Sequence, residues 1–196
     1  MTRLSVLALC GMVALSACAA PEPLVGPDGR PLPQVYKIDR AQADKIPFRL
    51  LDSVNSLRSA RGVAPMQFNA QLTAAAATHA RDMSVQNRPW HFGSDGSSPL
   101  VRVQRVGYTG QLAGELISET YETELETLSA WMADPDTRAV ILDPKANELG
   151  FAWFQEPSGK IWWTLVTGNS FGSMGLIMPN TALGATVTSE MDGLAG

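Results

Sequence analysis

Cysteine and histidine are scarce in this chain of 196 residues, at two each. Cys10 and Cys18 cannot staple a disulfide-rich scaffold. His79 and His91 alone cannot make a three-histidine metal site. Positive charge is also short: 15 Lys and Arg stand against 19 Asp and Glu, a formal net charge of −4. A nucleic-acid binder carries a basic surface, so the balance argues against that partner. No apolar run reaches the roughly 18–20 residues that a membrane-spanning helix needs. The hydrophobic fraction is nonetheless 45%, ordinary for a buried core and too high for disorder throughout.

What is present begins with an address. Arg3 supplies a positive start, Leu4 to Leu15 is apolar, and the stretch ends in Leu15-Ser16-Ala17-Cys18. A leucine, two small residues and a cysteine resemble the lipobox of bacterial lipoproteins, in which the cysteine is acylated after cleavage just before it. The alternative is an ordinary secretory peptide cut at Ala17-Cys18-Ala19. The lipobox resemblance implies residues 1–17 as signal peptide and Cys18 as the lipidation site. It also implies the membrane as a partner, reached through that lipid. Ala19 rather than aspartate after the cysteine implies the periplasmic face of the outer membrane. Residues 18–44 then form a tether. Pro21, Pro23, Pro27, Pro31 and Pro33 favour polyproline II there and oppose helix.

Helical spacing starts near Ile46, with Leu50, Leu51, Val54 and Leu57 on one stripe and Gly62 as a stop. Asn69 is the expected N-cap of a second helix carrying Leu72, Ala75, Ala76, His79, Ala80 and Met83. Asn87 to Pro99 reads as loop. Thr123-x-x-Glu126 has the capping-box form and opens a third helix with Leu125, Leu128, Trp131 and Met132 on its apolar face. Asp134-Pro135 caps a short helix through Val140. Leu149 to Gln155 and Ile161 to Thr167 predict two strands around a Pro157-Ser158-Gly159 turn. Residues 45–168 form the expected domain, and 169–196 an adjunct or loose tail.

Six ordered motifs resemble one family. They are Asn55-Ser56-Leu57-Arg58 with Gly62 to Met66; the Leu72 to Met83 helix, similar to A-x-x-H-A-x-x-M; His91 with Asp95-Gly96-Ser97; Arg105-Val106-Gly107-Tyr108; Gly114-Glu115-Leu116-Ile117, similar to G-E-N-I; and Trp131 to Leu142, similar to W-M-x-S-P-x-H-R-x-x-I-L. Together they resemble the CAP superfamily of cysteine-rich secretory, antigen 5 and pathogenesis-related 1 proteins, in its bacterial SCP-like branch. The resemblance implies an α+β fold, an α-β-α sandwich with a small antiparallel sheet between helical layers. It also implies a cleft of two histidines and acidic residues, which holds a divalent metal in some members. His91 and Glu115 match two of those positions and are the candidate catalytic or binding residues. Thr137 stands where the second histidine is expected, Leu116 replaces the asparagine and Asp134 the serine.

Zinc generally takes three or four protein ligands, and His91 with Glu115 supplies two. Neither a metal nor a cofactor is therefore expected. Ser94, Ser97 and Ser98 lie near His91, but no G-x-S-x-G elbow accompanies them. His91 reads either as a cleft residue or as a loop anchor between Trp90 and Phe92. His79, among alanines, reads as packing. The expected function is an envelope-anchored binding or scaffold module for an apolar small molecule or a cell-wall ligand. The alternative is a hydrolase of peptide or cell-wall material working through His91 and Glu115.

Overall fold

The computed structural model describes residues 35–170. The signal peptide, Cys18, most of the tether and the tail from 171 onward lie outside the described residues. Six helices and four strands alternate along the described chain: α1 Arg40–Ala43, α2 Ile46–Ser59, β1 Gln67–Phe68, α3 Ala70–Gln86, α4 Pro99–Arg105, β2 Gln111–Thr120, α5 Glu124–Ala133, α6 Pro135–Ile141, β3 Glu148–Gln155 and β4 Ile161–Asn169. The sheet order is β1-β3-β4-β2. The β2–β4 and β3–β4 pairs are antiparallel, and the two-residue β1 joins β3 in parallel.

Period-two alternation splits β3 and β4 between two cores. Leu149, Phe151, Ile161, Trp163 and Leu165 face Ile46, Leu50 and Val54 of α2, Leu128 and Trp131 of α5 and Ile141 of α6. Ala152 and Val166 face Leu72, Ala75 and Ala76 of α3, and Trp162 meets Ala80 and Met83 further along that helix. Trp162 and Trp163 are adjacent, point to opposite faces and are both fully buried, as an α-β-α sandwich requires. The alanines let α3 lie close on the sheet. At Gly150 a Cβ would stand 2.1 Å from backbone atoms of Leu72 and Thr73, so only glycine permits this approach.

Local signals account for the helix ends. The Asn69 side chain accepts from the amides of Gln71 and Leu72. Thr123 and Glu126 form a reciprocal capping box at α5. Asp134 accepts from the amides of Asp136 and Thr137 at α6. The Gly62 stop follows α2 with a φ of 70°.

The structure also corrects the sequence reading. The ordered body begins before residue 45: Asp39 caps the short α1, and Tyr36 and Ile38 pack on the larger core. The proline density that opposes helix ends at Pro33, so nothing prevents a helical turn at residues 40–43. β4 continues to Asn169 because Gln111 pairs with it. Leu125 is exposed rather than facing the core, since α5 turns Thr127, Leu128 and Trp131 inward. Sequence periodicity did not disclose β1, α4 or β2. Among the described residues no helix is long and apolar enough to cross a membrane.

Candidate functional site

The site lies on the α3 side of strand β2. Leu116 points to the core under α2, α5 and α6, so its neighbour Glu115 points the other way, as does Ile117. The Glu115 carboxylate is 3% exposed and has partners on both oxygens. Oε1 lies 2.9 Å from His91 Nδ1, and Oε2 accepts from Arg102 Nη2 at 2.6 Å. Arg102 is buried on α4, and its Nη1 donates to the carbonyls of His91 and Ser97. One guanidinium therefore holds both the backbone of His91 and the carboxylate that orients its ring. His91 itself is 51% exposed. With Nδ1–H donating to Glu115, the neutral ring presents Nε2 as its remaining acceptor.

The loop between α3 and α4 is held in place from behind. Asp82 accepts from the amide and hydroxyl of Ser94, and Gln86 takes the Trp90 indole N–H on its side-chain oxygen. Arg88 stacks over the Trp90 ring at 3.9 Å from its centroid. The Ser97 hydroxyl, Arg105 and the Ser97 amide all donate to Asp95 and hold its carboxyl far below the usual carboxylate range. Beside this loop lies a pocket of about 310 Å³, bounded by Thr78, Asp82, Asp95, Ser97, Arg102 and Arg105. The serines near His91 are occupied. Ser94 bonds Asp82, Ser97 bonds Asp95, and Ser98 caps α4.

Two members of this cluster were not singled out as functional in the sequence. Arg102 had no motif to mark it. His79 was read as packing, and it is fully buried, but its Nε2 is 2.9 Å from the Trp90 carbonyl and 3.7 Å from Glu115 Oε1. A carbonyl partner fixes Nε2 as the protonated nitrogen. Its Nδ1 has no hydrogen-bond partner. Two signals were available: His79 fills the histidine of the A-x-x-H-A-x-x-M pattern, and it is a polar residue placed mid-stripe among alanines.

Burial lowers the His79 pKa from its ordinary 6.5; Glu115 opposes that shift and Arg102 adds to it. The unfolded chain thus binds a proton at this position more readily than the folded one. Stability from neutral His79 is fully present above about pH 6.5 and is lost as the pH falls toward the lower folded value. The thermal midpoint is expected to drop between pH 7.5 and 5, and His79→Gln should remove that part of the slope. The depressed carboxyls of Asp95 and Glu126 act only below their ordinary values of 3.8 and 4.5. An unchanged slope in the variant would assign the acid sensitivity elsewhere.

Thr137 lies in the other helical layer, on α6, where its hydroxyl donates to the Trp131 carbonyl at 2.5 Å. The donor set does not fit the divalent metal that the family implies. Glu115 is already neutralised by the Arg102 guanidinium, and a hydroxyl committed to a carbonyl is no substitute for imidazole. Among the described residues no group of three His, Cys, Asp or Glu side chains is arranged to hold a metal.

Comparison with known proteins agrees with the architecture. The sequence model of the cysteine-rich secretory protein (CAP) family matches residues 51–167, more than half the chain. The uncharacterised protein YkwD of Bacillus subtilis is 28% identical over 114 residues, covering 58% of this chain and 44% of YkwD. An outer surface protein of Borrelia burgdorferi superposes with a TM-score of 0.60 at 16% identity, over 69% of this chain and 98% of that one. An extracellular protein of Bacillus anthracis containing an SCP domain gives 0.60 at 20% identity, over 68% and 45%. With the family model matching more than half of its length, the chain belongs to the CAP family of cysteine-rich secretory proteins.

Proposed function

We propose that the chain is an envelope-anchored binding module. Cys18 carries lipid, the prolines after it space the domain from the membrane, and the surface around His91 takes cell-wall material. The observation that supports binding over catalysis is the full engagement of Glu115: one oxygen orients His91 and the other is neutralised by Arg102. Such a carboxylate positions a ring, and at 3% exposed it is shielded from taking a proton from substrate itself. The Ser94 hydroxyl donates to Asp82 rather than to His91, so it is not held as the nucleophile of a Ser–His pair. Half-exposed His91 and exposed Phe92 stand near a pocket whose lining mixes carboxylates, guanidiniums and hydroxyls with the apolar Ala75 and Val106. That mixture suits a ligand with sugar or peptide polarity.

A second reading has its own observation. Leu57, Leu125, Leu128 and Met132 line a groove of about 520 Å³ between α2 and α5, which suits an apolar chain.

Sedimentation with purified cell-wall sacculi tests the first reading. The soluble domain is expected to co-sediment and release no soluble fragments, and His91→Ala to co-sediment less. Release of fragments by the unaltered protein, abolished in His91→Ala, would establish the hydrolase instead. Absence of co-sedimentation together with displacement of a fluorescent fatty acid would favour the α2–α5 groove. Mass spectrometry of the mature N-terminus reads the anchor, and an unmodified start near Ala20 would remove it.

A further inference from the structure

We infer that His79 is a positioning residue for His91, acting through the backbone that leads into that residue. This rests on the proposed role of the His91 surface. His79 sits on α3, whose backbone is seated directly on β3 at Gly150. Its Nε2–H donates to the carbonyl of Trp90, the residue whose peptide bond leads into His91. The same nitrogen stands 3.7 Å from Glu115 Oε1, the oxygen that meets His91 Nδ1. One hydrogen-bonded route therefore connects the buried ring to the exposed one, through the Trp90–His91 peptide, and the Glu115 carboxylate packs beside it beyond hydrogen-bond distance.

The chemistry of the buried ring supports this role. A residue placed only to fill space would be apolar, since a buried imidazole nitrogen without a partner costs stability. Here Nδ1 accepts that cost, while Nε2–H satisfies the Trp90 carbonyl. Arg102 holds the next carbonyl, that of His91. Consecutive carbonyls are thus held from two helices, α3 and α4, and the loop entering the site has little freedom to rotate.

The test compares three substitutions. Glutamine places its amide nitrogen near the position of Nε2 and can still donate to Trp90. Asparagine is polar but one methylene shorter, and leucine cannot donate. Long-range proton–nitrogen NMR spectra report which nitrogen of His91 carries the proton. The unaltered protein and His79→Gln are expected to show a single Nδ1–H form of His91. His79→Asn and His79→Leu are expected to show mixed tautomers and about tenfold weaker sacculus binding, the effect of one lost buried hydrogen bond. Thermal melts establish that each variant is folded, and the Asn variant carries the test if Leu does not fold. A folded Asn variant with the native His91 spectrum would overturn the inference, as would a Gln variant that resembles Asn. Failure of the unaltered protein to bind sacculi would sink the proposed ligand while leaving the NMR comparison decisive for His79.

Discussion

Replacing Arg58 by methionine is expected to remove a large share of the domain's stability. Arg58 is fully buried and its guanidinium serves four backbone carbonyls. Nε donates to Ala64 at 2.7 Å, Nη1 to Ile141 at 2.7 Å and to Asp143 at 3.0 Å, and Nη2 to Ala146 at 2.8 Å. Burial lowers the pKa of the group below its ordinary value, and these carbonyl dipoles compensate the buried charge. One side chain therefore closes both the turn after α2 and the link between α6 and β3. Methionine fills similar volume but takes the guanidinium donors from Ala64, Ile141 and Ala146, while the Asp143 carbonyl keeps the Ala146 amide. At about 1–3 kcal/mol for each buried group left unpaired, the loss is on the order of 4 kcal/mol after the charge's own desolvation is recovered. A domain has roughly 5–15 kcal/mol in total. Lysine offers a single compact ammonium and should recover only part of the loss. Urea titration of the two variants reads the effect, and a methionine variant within about 1 kcal/mol of the parent, the worth of a normal hydrogen bond, would refute it.

Trp131→Ala is expected to lower the thermal midpoint by roughly 10–15 °C. Trp131 is 5% exposed in the larger core, and truncating a buried tryptophan costs about 3–5 kcal/mol. Its indole N–H also donates to the Ile117 carbonyl at 3.2 Å, tying α5 to the exposed edge of β2. Trp131→Phe keeps most of the packing and loses that bond, so its expected cost is about 1–2 kcal/mol. Scanning calorimetry of both variants separates the two contributions. A midpoint that stays within a few degrees in the alanine variant would mean that α5 repacks without it.

The helices and the hairpin strands were legible because their signals are local. Asn69, Thr123 with Glu126 and Asp134 each announce a helix start, and the α3 stripe matches its buried residues one for one. β2 was hidden for a physical reason. Its central residues, Ala113 to Glu119, include Gly114 and two glutamates, and Glu115 faces a polar cluster rather than a core. Alternation of polar and apolar residues cannot reveal a strand whose buried face carries a carboxylate. α4 is seven residues long, too short for a periodicity to register. The site was half visible. Sequence resemblance pointed at His91 and Glu115, whereas Arg102 and His79 become meaningful only when three separate elements bring them to one carboxylate. Thr137 shows the converse: its motif position marked it, and its hydroxyl is committed to Trp131.

Chain order carries a consequence for biosynthesis. β4 lies between β3 and β2 and is the last of the described strands to leave the ribosome. Until Ile161–Asn169 has emerged, β2 and β3 have no strand to share and the two helical layers have no sheet to cover. Arg58 waits in the same way, since three of its acceptors lie 83, 85 and 88 residues downstream. Pairing across such separations closes slowly, so the native sheet cannot form until most of the domain is already made. A chain that remains open this long can be threaded through a membrane pore before it folds, the order of events that the proposed envelope location demands.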